Sequence, residues 1–132
     1  MVTRLSIRTQ SRTEFIEITS QIQKVISESG IKNGICTVWI PHTTAAITVN
    51  ENADPTVQQD ILMELNKIIP FQNNYSHYEG NSAAHIKSSL VGCSHTLLIE
   101  EGRLLLGTWQ GIFFCEFDGP RHRQIWIKIL EG

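Results

Sequence analysis

Neither sign of charge is in large excess in this sequence. Eleven Lys and Arg face thirteen Asp and Glu over 132 residues, a formal net charge of −2. Such a balance gives no global argument for nucleic acid or for an anionic membrane as partner. Cysteine is scarce. Cys36, Cys93 and Cys115 are odd in number and show no C-x-x-C spacing, so they point to no disulfide framework or zinc knuckle. Cys36 and Cys115 lie in apolar runs, where a thiol serves as a small buried hydrophobe. A reduced, cytoplasmic compartment fits best. No apolar run is long enough to span a bilayer. The opening M-V-T-R-L-S-I-R-T-Q lacks the apolar centre of a signal peptide. There is no repeat, low-complexity tract or linker, so residues 1–132 are expected to form a single domain. Hydrophobic residues make up 41% of the chain, an ordinary globular share.

What is present alternates. Thr3–Thr9 and Glu14–Thr19 read as half-buried strands, joined as a hairpin across Gln10-Ser11-Arg12. Ser20–Ser29 changes to helical period through Ile22, Val25 and Ile26, and Gly30 can stop it. Ile35–Ile40 is apolar on both faces, as a central strand should be, and Pro41 places His42 at its end. Ala45–Asn50 is a further strand. Asp54-Pro55 is a strong helix start, followed by Val57, Ile61, Leu62, Leu65, Ile68 and Ile69 at helical spacing, a stripe read as core packing. Phe71–Ser82 has no period, and loops of that length tend to be functional or mobile. A short helix follows at Ala83–Val91, capped by Ser82. Strands are expected at 96–100, 103–106, 112–117 and 124–130. Connections between strands are too short for parallel crossovers. The expected fold is α+β, a mainly antiparallel β-sandwich with helices packed on one side.

Polar candidates concentrate at the ends of these elements. The stretch H-Y-E-G-N-S-A-A-H-I-K-S-S at 77–89 gathers His77, Glu79, Asn81, His85 and Lys87 beside a helix start. Unpaired N–H groups at such a start, with Lys87 nearby, suit a phosphate. His42, His77 and His85 all sit where apolar elements give way to loops. Three imidazoles could ligate a divalent metal such as zinc or magnesium, although no H-E-x-x-H or H-x-x-x-H pair marks such a site. Separate surface histidines would give the same spacing. Glu116 and Asp118 share a face of one strand. In D-G-P-R-H-R at 118–123, Arg121 and Arg123 share parity with Ile125, Ile127 and Ile129. Both are therefore expected at the end of the inward face, where they need acidic partners or an anionic ligand. Asp54 is sufficiently explained as an N-cap. Trp109 in its glycine-bounded loop and Trp126 are candidates for a subunit contact, or for ordinary packing.

Three blocks together carry a resemblance. P-H-T-T-A-A-I-T-V-N-E-N-A-D-P at 41–55, H-Y-E-G-N-S-A-A-H-I-K-S-S-L at 77–90 and G-T-W-Q-G-I-F-F-C-E-F-D-G-P-R-H-R at 107–123 resemble the YjbQ-like, or secondary thiamine-phosphate synthase, family. The resemblance implies an α+β sandwich assembled as a homotrimer, with a weak thiamine-phosphate-synthase activity beside an uncertain true substrate. It also implies a pocket near the subunit boundary. His42, Glu51, Asp54, His77, Glu79, Asn81, His85, Lys87, Trp109, Gln110, Asp118 and Arg121 would line it, and Arg123 joins them on its parity. The expected protein is a small enzyme acting on a phosphorylated small molecule. His42, Glu79, His85 and Asp118 would handle or orient protons. Glu51, Asp54, Asn81, Lys87, Trp109, Gln110, Arg121 and Arg123 would hold the ligand. A non-catalytic module for a phosphorylated metabolite would use the same pocket, and a structural trimer would use none.

Overall fold

The computed structural model describes residues 1–132. Eight strands and three helices follow in the order β1 Val2–Arg8, β2 Glu14–Glu17, α1 Thr19–Ser29, β3 Gly34–Trp39, β4 Ala45–Glu51, α2 Pro55–Ile68, α3 Ser82–Val91, β5 Ser94–Glu100, β6 Arg103–Leu104, β7 Gln110–Glu116 and β8 His122–Glu131. They form a five-stranded sheet, β1-β8-β3-β5-β6, and a three-stranded sheet, β2-β7-β4. Every pairing is antiparallel. The fold is the expected α+β sandwich.

The period-2 pattern of β3 and β8 turns Cys36, Val38, Ile125 and Ile127 inward. Ala45, Ile47, Ile112 and Phe114 face them from the smaller sheet, and Ile22 and Ile26 of α1 complete the main core. β3 is central, as its apolar run predicts. It also lies so close to β8 that a Cβ on Gly34 would stand 2.0 Å from the Leu130 carbonyl oxygen. Gly30 ends α1 in a left-handed conformation, with φ 74°. A second, smaller core lies on the outer face of the three-stranded sheet. There Ala46, Cys115 and Phe117 meet Ala84 of α3 and Leu62 and Leu65 of α2.

Four local expectations are corrected. β1 and β2 do not form a hairpin. β1 pairs with β8 and β2 with β7, so the chain changes sheet at Thr9–Thr13. The Thr9 side chain anchors that corner, and the short polar stretch there looks like a turn in either arrangement. The second strand also ends early, because Thr19 begins α1. Asn81, not Ser82, holds the cap position of α3, and its side chain is turned elsewhere. Finally, the apolar stripe of α2 packs through half-buried Leu62 and Leu65 and ends on buried Ile69, but Ile68, expected in the core, stays exposed.

A cleft at one end of the sandwich

Three strand ends and one helix start meet at a cleft of about 570 Å³. β3 delivers Trp39 and Ile40, and Pro41 turns the chain so that His42, Thr43 and Thr44 follow along the wall. The loop before α3 brings Glu79 and Asn81, and the first turn of α3 brings His85. Arg121 arrives just before β8 and Arg123 at its start.

The floor is an ion pair. Glu116 is 0% exposed and Arg123 5%. Arg123 Nε donates to Glu116 Oε1 at 2.8 Å, and Nη2 bridges to Glu116 Oε2 and to Thr44 Oγ1, the latter at 2.9 Å. Thr9 Oγ1 donates to Glu116 Oε1 at 2.7 Å and the Asp118 N–H to Oε2 at 2.9 Å. Burial alone would raise the Glu116 pKa. The bonds from Arg123, Asp118 and Thr9 and the Arg123 charge outweigh burial and hold it below the usual carboxylate range. A Cβ on Gly119 would lie 2.3 Å from the Ser11 carbonyl oxygen and 2.8 Å from Glu116 Cγ, so only glycine lets the chain pass this close to the pair.

A second network stands above it. Asp118 Oδ2 accepts from Asn81 Nδ2 at 2.8 Å and from Arg121 Nη2 at 2.9 Å, while Arg121 Nε donates to the Asp118 carbonyl at 2.8 Å. Burial would raise the Asp118 pKa, but these bonds and the charges of Arg121 and Arg123 lower it. Asp118 is therefore an ionised orienting group, unsuited to be the acid. Arg121 stays about half exposed, because β8 begins only at His122; it is not on the inward face. Its partner Asn81 has its amide direction set by Asp118, which leaves Asn81 Oδ1 buried without a partner. At the start of α3, Ala84 and His85 both donate to the Asn81 carbonyl, so the earlier N–H groups of Ser82 and Ala83 stay unpaired.

His42 Nε2 accepts from the Gln124 N–H at 2.9 Å, which places its proton on Nδ1. Burial first, then the Arg123 charge, lowers its pKa, so the ring is neutral near pH 7. With its lone pair committed to a backbone amide, His42 is a hydrogen-bond donor; it is neither a free base nor a metal ligand in this arrangement. His77 and His85 do come together, with ring centroids 5.4 Å apart. No group of three His, Cys, Asp or Glu side chains is placed to hold an ion within one chain.

The remaining candidates lie apart. Glu51 pairs with Gln110 at the far ends of β4 and β7, with Asp54 and Trp109 beside them. Lys87, expected next to an anion, is 0% exposed on another face of α3. Its Nζ donates to Asn66 Oδ1 at 2.6 Å and lies 4.0 Å from the centre of the Phe71 ring. Glu116 was noted only as sharing a strand face with Asp118 and was left out of the site, although a carboxylate inside I-F-F-C-E-F is a signal of paired burial. Sequence reasoning also missed Thr9, Thr44 and the Gln124 amide, for which no local signal exists.

The family model for UPF0047 protein YjbQ-like matches residues 3–132. UPF0047 protein MJ1081 of Methanocaldococcus jannaschii is 56% identical over 98% of this chain and 94% of its own length. UPF0047 protein YugU of Bacillus subtilis is 50% identical over 98% and 99%. A solved YjbQ/UPF0047 structure from Clostridium acetobutylicum, 52% identical, superposes with a TM-score of 0.95 over 97% of this chain and 99% of its own. A structure from Sulfolobus solfataricus described as of unknown function, 34% identical, gives 0.95 over 100% and 97%. No helix of this chain is long and apolar enough to cross a membrane. The chain belongs to the UPF0047/YjbQ-like family.

Proposed function

We propose that the cleft binds a phosphorylated small molecule and acts on it as an enzyme, with thiamine-phosphate synthesis as a weak activity. The observation that carries this reading is the set of donors fixed around one space: Arg121 held by Asp118, Arg123 held by Glu116, and neutral His42. Both arginines are charge-paired, so the cleft is not a pool of free positive charge. Its suitability for an anion lies in donors that need no reorganisation to receive one. Joining a pyrimidine diphosphate to a thiazole phosphate expels pyrophosphate, and donors so placed stabilise the leaving group. His85, whose ring is free of a strong partner, is the group to move a proton, with Glu79 on the same wall. We further propose assembly as a homotrimer.

Incubation with the two phosphorylated substrates, followed by assay of released pyrophosphate, tests turnover. Release that depends on His85 supports the enzyme. Binding of pyrophosphate without turnover of any phosphorylated substrate favours a second reading, a binding module. The observation behind that second reading is that Asp118 and His42, two of the expected proton-handling groups, are committed to orienting bonds.

A further inference from the structure

The segment between α2 and α3 is held firmly at its two ends and loosely between them. At its start the Phe71 ring lies between two cations. The Arg12 guanidinium stands 3.7 Å and Lys87 Nζ 4.0 Å from the ring centre, and such contacts hold a ring best where a cation is desolvated, as Lys87 is. The Tyr75 hydroxyl donates to the Pro70 carbonyl at 2.7 Å and folds the first part of the segment back on this anchor. At the other end Asn81 is bonded to Asp118. From Ser76 to Gly80 the one hydrogen bond is local, from the Gly80 N–H to the His77 carbonyl, and the His77 ring rests edge-on against His85. Asn74 and Gly80 bracket this stretch with left-handed φ of 53° and 77°. A Cβ on Gly80 would meet nothing within 4 Å, so glycine is needed there for its backbone freedom and not for space. That makes Gly80 a pivot.

The tip of the segment carries Tyr78, which is fully exposed at 102%, with no partner for its ring or its hydroxyl. Its two neighbours both face the site: His77 meets His85, and Glu79 lines the cleft. We propose that Tyr78 is a ligand-contacting residue: when a phosphorylated molecule occupies the cleft, residues 76–79 swing on Gly80 and lay the tyrosine over it. The hydroxyl then donates to a phosphate oxygen, and the ring keeps water away from Arg121. Excluding water strengthens every charged contact inside. Burial of a large ring left in water by the open form favours the closure. The Arg12–Phe71–Lys87 stack is the fixed end of the moving stretch, which gives Lys87 a positioning role at a distance from the ligand. The inference rests on the proposed function and adds to it how the same site closes.

Limited digestion with chymotrypsin reads the closure, with pyrophosphate as the probe. The protease cuts after exposed tyrosines in loosely held segments, so the bond after Tyr78 is the expected first cut in the ligand-free protein. Saturating pyrophosphate is expected to slow that cut severalfold. A ligand that only stabilised the whole fold would slow cuts elsewhere in the chain and leave this one unchanged. Tyr78→Ala removes a side chain without partners, so its ligand-free melting midpoint should match wild type. Its dissociation constant for pyrophosphate, measured by calorimetry, is expected to rise severalfold. A cut after Tyr78 that is equally fast with pyrophosphate bound, or equal affinity in wild type and Tyr78→Ala, overturns the inference and leaves the anion-binding cleft standing. Pyrophosphate that neither raises the melting midpoint of wild type nor gives a binding signal overturns both.

Discussion

Glu116 and Arg123 are the residues whose loss the structure makes most costly. Each is buried, and each satisfies the other along with Thr9, Thr44 and the Asp118 amide. Arg123→Ala would leave a buried carboxylate with half its partners, so about 3–5 kcal/mol of stability should go, read by urea unfolding. Arg121→Ala removes an exposed pair and should cost no more than about 1 kcal/mol. Equal losses in the two variants would contradict this assignment. The sign of the pH effect follows from the lowered Glu116 pKa. The stabilisation is present above the ordinary carboxylate pKa and disappears as pH falls through the lower folded value. Lys87 gives a slope of the same sign in an alkaline window. Burial, helped by the Arg12 charge across Phe71, lowers its pKa from 10.5 to about 8. Between those values the unfolded chain binds more protons than the folded one, so Lys87 makes stability rise with pH through that window. Lys87→Met should remove this rise. The check is the difference between wild type and variant in urea melts at pH 7 and at pH 9.5, and a difference that does not change with pH would refute it.

At the scale of elements, the weak one is α2. Its cap is sound, with the Thr56 N–H donating to Asp54 Oδ1 at 2.9 Å, but its apolar stripe reaches only half-burial. Ile47 is fully enclosed between the sheets, so Ile47→Ala should cost about 2–5 kcal/mol, whereas Leu65→Ala at low protein concentration should cost clearly less. Chemical denaturation of both variants settles the order. The contrast also explains what was legible in the sequence. β3, β8, α1 and the start of α2 announce themselves, because period and capping are local. Strand partners are not local, and so β1 and β2 looked like a hairpin although their ladders run to β8 and β7. The same limit applied at the site. The inward parity of Arg123 was readable, and so was the placing of His42 at a strand end. The direction of Lys87 was not, because the spacing of a ten-residue helix does not say which face α2 will cover.

The whole molecule has a polar cleft at one end of the sandwich and a helix, α2, that leaves Met63 and Ile68 exposed. A chain so built is expected to assemble, and sedimentation at micromolar concentration should give a trimer; a stable monomer would count against the assembly. The account stands, above all, on the cleft receiving a phosphorylated ligand through Arg121 and its neighbours. A ligand selective for the native state raises the melting midpoint by mass action. The direct test is the melting of wild type and Arg121→Ala with and without pyrophosphate. The account predicts a clear rise for wild type and a smaller one for the variant, weaker by about 1–3 kcal/mol of binding energy. No rise in wild type, or the same rise in both proteins, would contradict it.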